Sequence, residues 1–233
     1  MKESVTCVIP AAGLASRIGG VPKFLLPTPE DVSLIKYHVD LAQQYANQVV
    51  VVTRPEWAHV MHKELQDSES HIIVKETKTM TETVVTALRL VSSDVCVVQM
   101  ADTYLGSGKI LKDISEVSAE KQTDCLAIWR TRESQMGKLG QVQLKAVAKD
   151  LNSVIKMVDK DPTFHTGLHW GAIALHKPNY AKWDLTLSHI GLVLERKLNV
   201  EKEEILALIT DEQYFDLGTK SELSEFLNIQ KNL

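Results

Sequence analysis

Most features that give a function away are missing from this 233-residue chain. It has three cysteines, Cys7, Cys96 and Cys125, an odd number with no close pair. Each lies in an apolar run that reads as a strand, so they read as reduced core residues of a cytosolic protein, and nothing nearby supports a catalytic thiol. No run approaches the roughly 18 apolar residues of a membrane helix. The formal charge is -4, so no general basic field draws nucleic acid or an anionic membrane, and any phosphate binding must be local. Met1-Lys2-Glu3-Ser4 runs straight into a strand without a signal-peptide pattern. There is no internal repeat, low-complexity segment or flexible linker. Several chemistries are also missing their signatures: G-x-S-x-G for acyl transfer, and a zincin motif around either His59/His62 or His165/His169.

What is present is ordinary for a chain with a real core, at 44% hydrophobic and 24% charged residues. The first half alternates strand and helix patterns: strand Val5 to Ile9, helix Leu34 to Tyr45, strand Gln48 to Thr53, helix Pro55 to Gln66, strand His71 to Val74, helix Thr81 to Val91 and strand Asp94 to Gln99. Continuous apolar runs such as "QVVVVT" are typical of buried parallel strands, and strands separated by helices imply crossover connections. The second half reads as strands Asp124 to Trp129, Gln141 to Ala148, Ser153 to Val158 and Gly171 to Leu175. It continues as a helix from Leu185 to Lys197, a short helical piece from Glu203 to Ile209, a strand from Gln213 to Leu217 and a last helix from Ser221. The expected fold class is α/β: a mixed, mostly parallel central sheet flanked by helices, with extra antiparallel strands in the C-terminal half. One unit spanning 1–233 is expected.

The stretch after the first strand, "IPAAGLASRIGGVPKFLLP", joins small residues to two cations. It lies at a strand's carboxyl end, where open α/β sheets bind ligands. Ala11, Ala12, Gly13, Ala15 and Ser16 let backbone N–H groups come close to phosphate oxygens, and Arg17 adds a donor fork. It is not a Walker A loop, because Ile18 stands where the second glycine belongs, nor a dinucleotide fingerprint, because Ala15 and Ile18 stand in glycine positions. Two carboxylates sit at comparable places. Asp102, in "MADTYL", follows the Asp94 to Gln99 strand, and Asp216, in "YFDLGT", precedes the last helix. Alone, either could be a helix cap.

These landmarks in this order resemble the sugar-phosphate nucleotidyltransferases, whose GT-A-like, Rossmann-like domain joins an NTP to a phosphorylated small molecule. The resemblance spans residues 4 to about 226 and implies that the half 1–105 binds the nucleotide while the half 106–233 binds the acceptor and supplies a second metal ligand. Pro22-Lys23 and Leu26-Pro27 fit the family's Pro-Lys and Leu-Pro, while Ala15 and Ser16 replace its glycine and threonine. It implies that Arg17 and Lys23 bind the triphosphate and act in catalysis, and that Asp102 and Asp216 jointly hold Mg²⁺. The base would be read near Thr81, Glu82 and Thr83, with a pyrimidine expected. On the acceptor side, Gly140, Asp159, Lys160, Trp170 and Gly171 fall on the family's Gly-strand, Glu-Lys-Pro and Thr-Gly positions. Asp159 replaces Glu, Asp161 is inserted before Pro162, and Trp170 replaces Thr. Lys160 reads equally as a phosphate contact or a solvated turn residue, and Trp170 as a stacking face or a core residue.

The expected activity is transfer of a nucleotidyl group to a phosphorylated acceptor with release of pyrophosphate, in the cytoplasm, without nucleic-acid or membrane partners. Homo-oligomerisation is left open. A sugar 1-phosphate is the first acceptor class and a non-sugar phosphate such as phosphocholine the second. A GT-A glycosyltransferase would want Asp-x-Asp where "MADTYL" has one aspartate. A silent binding domain would be expected to have lost Lys23, Asp102 or Asp216, and all three are present. With no β-helix or acyltransferase domain following, a stand-alone catalytic domain is expected.

Overall fold

A computed structural model describes residues 4–13, 22–218 and 220–230. Eleven strands and six α-helices lie within them. They are β1 (Val5–Ala11), α1 (Leu34–Gln43), β2 (Gln48–Thr53), α2 (Ala58–Glu64), β3 (Ser70–Val74), α3 (Met80–Leu88), β4 (Val95–Gln99) and β5 (Thr103–Tyr104). The chain continues through α4 (Lys109–Lys121), β6 (Asp124–Arg130), β7 (Gln141–Ala148), β8 (Leu151–Val158), β9 (Leu168–His176), α5 (Ile190–Asn199), β10 (Ile205–Ile209), β11 (Phe215–Asp216) and α6 (Lys220–Gln230).

Nine strands form one sheet in the order β3-β2-β1-β4-β9-β6-β10-β8-β7, with β5 and β11 as a separate two-stranded ribbon. β3, β2, β1 and β4 are mutually parallel. β9 runs antiparallel between β4 and β6, β10 is parallel to β6, and β8 and β7 close the sheet antiparallel. This is the mixed, mostly parallel sheet with antiparallel additions that the sequence predicts.

Burial on both faces explains the unbroken apolar runs. Along β1, Val8 faces a core shared with α3 and α5, through Val84, Leu88, Ile190 and Leu194. Cys7 and Ile9 face the opposite side, packing with Ile35 and Val39 of α1 and Met61 of α2. α4 covers that same side further along, where Ile110, Leu111 and Ile114 meet Val95, Val97 and Cys125. All three cysteines are buried, and burial pushes each thiol up to about 12, so none is a ready nucleophile.

Helix α4 has no counterpart in the sequence reading. Its inward stripe is Ile110, Leu111, Ile114, Ser115 and Ser118, so two serines interrupt the apolar period. Its cap is Gly108 at φ 67 and offers no side-chain acceptor. The helical piece expected over Glu203 to Ile209 is instead β10, "ILALI". Five apolar residues carry no diagnostic period, and the slot between β6 and β8 makes them a strand. The strand expected over Gln213 to Leu217 shortens to Phe215–Asp216, and α5 begins at Ile190 rather than Leu185. Among the described residues no helix is long and apolar enough to cross a membrane.

Candidate active site

At the carboxyl ends of β1 and β4 the sheet opens into a cleft of about 470 Å³. Two of its carboxylates arrive there by a backbone device. β11 pairs antiparallel with β5, setting Asp216 opposite Thr103, and Leu217 N–H donates to the Asp102 carbonyl at 3.0 Å. The ribbon therefore brings two carboxylates 114 positions apart in the sequence side by side. Lys23 completes the group. Pro22 leads into the short 3₁₀ turn Lys23–Leu25, and the Lys23 ammonium lies 2.8 Å from Asp102 Oδ2. The lysine side chain is 13% exposed and the Asp102 side chain 43%, so the aspartate still faces the cleft.

Asp216 is held more tightly. Its Oδ1 accepts from Gly218 N–H at 2.9 Å, and a Cβ on Gly218 would lie 2.7 Å from that oxygen, which makes glycine a requirement of this close approach. Burial, then the like charge of Asp102, push the Asp216 carboxyl above the usual range, while the Gly218 N–H and Lys23 pull it down. Two carboxylates that repel each other at the mouth of a cleft suit a hard cation that takes few protein oxygens and leaves room for phosphate and water. No group of three or more His, Cys, Asp or Glu side chains with metal-holding geometry occurs among the described residues, so a cation here would share its shell with a ligand.

On the β1 side, Ala11, Ala12 and Gly13 line the cleft. Ala15, Ser16 and Arg17 lie outside the described residues. Thr83 lines the cleft, its hydroxyl 2.6 Å from that of Thr77. Thr79 is the N-cap of α3, accepting from Glu82 N–H at 3.0 Å. Glu82 turns back to accept from Lys78 N–H at 2.8 Å, and Thr81 is fully buried in the helix. Neither of these two lines the cleft.

The opposite wall, where the sequence reading places the acceptor, is more crowded. Gly140, Asp159, Lys160, Trp170 and Gly171 all line the cleft. A Cβ on Gly140 would sit 2.2 Å from Trp170 Nε1 and 2.5 Å from Asp159 Oδ1, so glycine is what lets these two side chains reach the wall. The Asp159 side chain is only 3% exposed. Its Oδ2 is 3.0 Å from His189 Nε2, within ion-pair reach but not aligned for a hydrogen bond. Burial pushes the Asp159 carboxyl up and the His189 imidazole down, and each tempers the other's shift. Trp170 Nε1 is buried with no hydrogen-bond partner among the described residues. Lys160 is exposed at the rim, with a left-handed φ of 56. Of the histidines weighed as metal ligands, His169 is buried against Trp129 and Tyr214 and held neutral, lowered to about 3 by burial and by Arg132.

Several lining residues escaped the sequence reading, among them Thr77, Arg54 and His189. Arg54 follows the carboxyl end of β2, pairing with Glu56 at 2.6 Å and Glu76 at 3.1 Å. Its place after a parallel strand was a usable signal. His189 caps α5, and nothing in the sequence ties it to Asp159.

A mixed α/β sheet with a lysine and two carboxylates gathered at its carboxyl rim, beside Ala11, Ala12 and Gly13, is an arrangement that nucleotidyl transfer can use. The sequence profile of the MobA-like NTP transferase domain matches residues 7–172, and the chain belongs to that family. No curated protein matches it by sequence. Among solved structures it is similar to UDP-glucose pyrophosphorylase complexed with UDP-glucose, at 18% identity over 98% of this chain and 99% of that one, with a TM-score of 0.81. It is also similar to a putative glucose-1-phosphate thymidylyltransferase from Bacillus anthracis, at 13% identity over 99% and 96%, TM-score 0.82. A third is the inositol-1-phosphate CTP transferase from T. maritima, at 13% identity over 98% and 97%, TM-score 0.75. At such identities the likeness is one of fold.

Proposed function

We propose that this protein transfers a nucleotidyl group from a pyrimidine NTP to a sugar 1-phosphate and releases pyrophosphate. The observation that carries this reading is the cluster of Lys23, Asp102 and Asp216 on the rim beside Ala11, Ala12 and Gly13. An oxygen of the acceptor phosphate attacks the α-phosphorus, a new P–O bond forms, and the bond to the bridging α–β oxygen breaks. No side-chain nucleophile or base is needed, because the attacking phosphate is already ionised. The obstacle is the approach of two anions.

Lys23 sits where it can offset that charge, and Arg17, in the loop, would join it on the triphosphate. The paired aspartates fit Mg²⁺, which when bound supplies positive charge at the phosphates. The small residues after β1 let backbone N–H groups approach phosphate oxygens. The hydroxyls of Thr77 and Thr83 and the Arg54 guanidinium are polar groups able to pair with the edge of a small base.

Two buried polar atoms on the opposite wall favour a sugar over a choline-like acceptor. Among the described residues Asp159 Oδ2 accepts no aligned hydrogen bond and the Trp170 indole N–H meets no acceptor. A buried polar atom left unmatched is costly. A polyhydroxylated ring can donate one hydroxyl to the carboxylate and accept from the indole with another. The trimethylammonium group of phosphocholine could offset the carboxylate's charge but offers no acceptor to the indole N–H. The test is pyrophosphate release with ATP, GTP, CTP and UTP against sugar 1-phosphates, phosphocholine and other small phosphates, with Mg²⁺. Turnover is expected with a pyrimidine NTP and a sugar 1-phosphate. Turnover confined to phosphocholine would overturn the acceptor assignment, and silence with every pair would overturn the reaction.

A further inference from the structure

Behind the Asp216 carboxylate lies an ion-pair cluster that the proposed chemistry does not use. Arg132, in the loop after β6, reaches α6. Its Nη2 donates to Glu222 Oε2 at 2.7 Å, and it also pairs with Glu225. Glu222 is 3% exposed and collects further bonds from Gln135 Nε2 at 3.1 Å and Ser134 Oγ at 3.3 Å. The same guanidinium reaches the two residues that precede Asp216. Its Nη2 donates to the Tyr214 carbonyl at 3.3 Å, and its carbon lies 4.6 Å from the centre of the Phe215 ring. Phe215 is packed on its other sides by Tyr104 and Phe226.

The strand that delivers Asp216 is only two residues long. A two-residue ladder is short, and besides the Gly218 N–H that holds the carboxylate, the segment is anchored by the buried side chains of Phe215 and Leu217. What packs behind the segment adds to that hold. One planar side chain with five donors bridges the β6 loop, α6 and the backbone leading into Asp216, a task that a lysine's point charge cannot reproduce.

We propose that Arg132 is a positioning residue, its fork to Glu222 and the Tyr214 carbonyl fixing where the Asp216 carboxylate stands in the proposed cation site. This rests on the nucleotidyltransferase reading for its catalytic consequence, but not for its structural one. Arg132→Ala, Arg132→Lys and Glu222→Gln are compared with wild type and with Leu65→Ala, a core truncation just after α2 that touches none of the Arg132 partners named above. Amide hydrogen exchange of the peptide spanning 213–218 is followed without ligand. In parallel, kcat, the acceptor KM and the Mg²⁺ concentration giving half-maximal rate are measured well below the melting temperature.

The expected result for Arg132→Ala is at least tenfold faster exchange over 213–218 with β1 amides unchanged, a tenfold or greater fall in kcat, and a higher Mg²⁺ requirement. The acceptor KM should stay within twofold. Arg132→Lys and Glu222→Gln should lie between it and wild type, while Leu65→Ala lowers the melting temperature without changing the Mg²⁺ requirement. Unchanged exchange over 213–218 would overturn the proposal, as would faster exchange with kcat and Mg²⁺ requirement intact. A wild type inert with every substrate pair would count against the reaction alone, and the exchange data would then decide the role of Arg132.

Discussion

Replacing Lys23 with alanine isolates the charge argument. In the folded protein the cluster carries two carboxylates and one ammonium, with the ammonium 2.8 Å from Asp102. Its loss should barely touch stability. Asp102 is 43% exposed, and an ion pair open to solvent contributes about 0–1 kcal/mol. For a chain of this size that is a fall in melting temperature of at most about 4 °C. Turnover should respond very differently. Charge developing on the transferring phosphate is stabilised by a cation already in place, and removing one such donor costs about 3–4 kcal/mol, or roughly 10²–10³ in rate. The assay is pyrophosphate release at saturating substrates, alongside thermal melting of the same preparations. Lys23→Arg, which keeps the charge but changes its shape, should fall between. A Lys23→Ala protein that melts normally and turns over within a few-fold of wild type would refute the reasoning.

Asp216→Asn should remove a charge that burial and Asp102 both disfavour, so its melting temperature at neutral pH should equal or exceed that of wild type while turnover drops by about 10² or more. Asp159→Asn tests the acceptor wall by pH. The folded Asp159 carboxyl is raised above its ordinary value, so its charge opposes folding once pH exceeds the raised value. That penalty is absent below the ordinary carboxylate range, and the variant should therefore melt higher than wild type near pH 7 and lose the advantage as pH falls toward 4. Its acceptor KM should rise. Gly140→Ala drives a methyl to within 2.2 Å of Trp170 Nε1 and 2.5 Å of Asp159 Oδ1, and overpacking of this kind costs about 1–3 kcal/mol. A lower melting temperature and a raised acceptor KM, with the NTP KM held, are the expected readings.

The rim positions were legible because they follow from strand polarity. A buried run that ends at Gln99 must deliver Asp102 to the same edge of a parallel sheet as the loop after β1. Asp216 was legible only through resemblance, since a two-residue strand leaves no period to read. Other parts depend on contacts that local sequence does not encode. α4 hid because Ser115 and Ser118 occupy inward positions that a helix pattern reserves for apolar residues. β10 is a strand because of the slot it fills. His189 meets Asp159 across 30 positions, and Arg132 meets Glu222 across 90. Both pairings exist only once β9, α5 and α6 have packed.

The account stands on Asp102 and Asp216 serving a single cation together with Lys23. A crystal structure with Mn²⁺ and a non-hydrolysable pyrimidine NTP analogue, its metal located by anomalous scattering, tests this most directly. Carboxylate oxygens of both aspartates bound to the same manganese, with Lys23 Nζ against the triphosphate, is the predicted result. Manganese and triphosphate held elsewhere in the cleft, with either aspartate turned away, would contradict it.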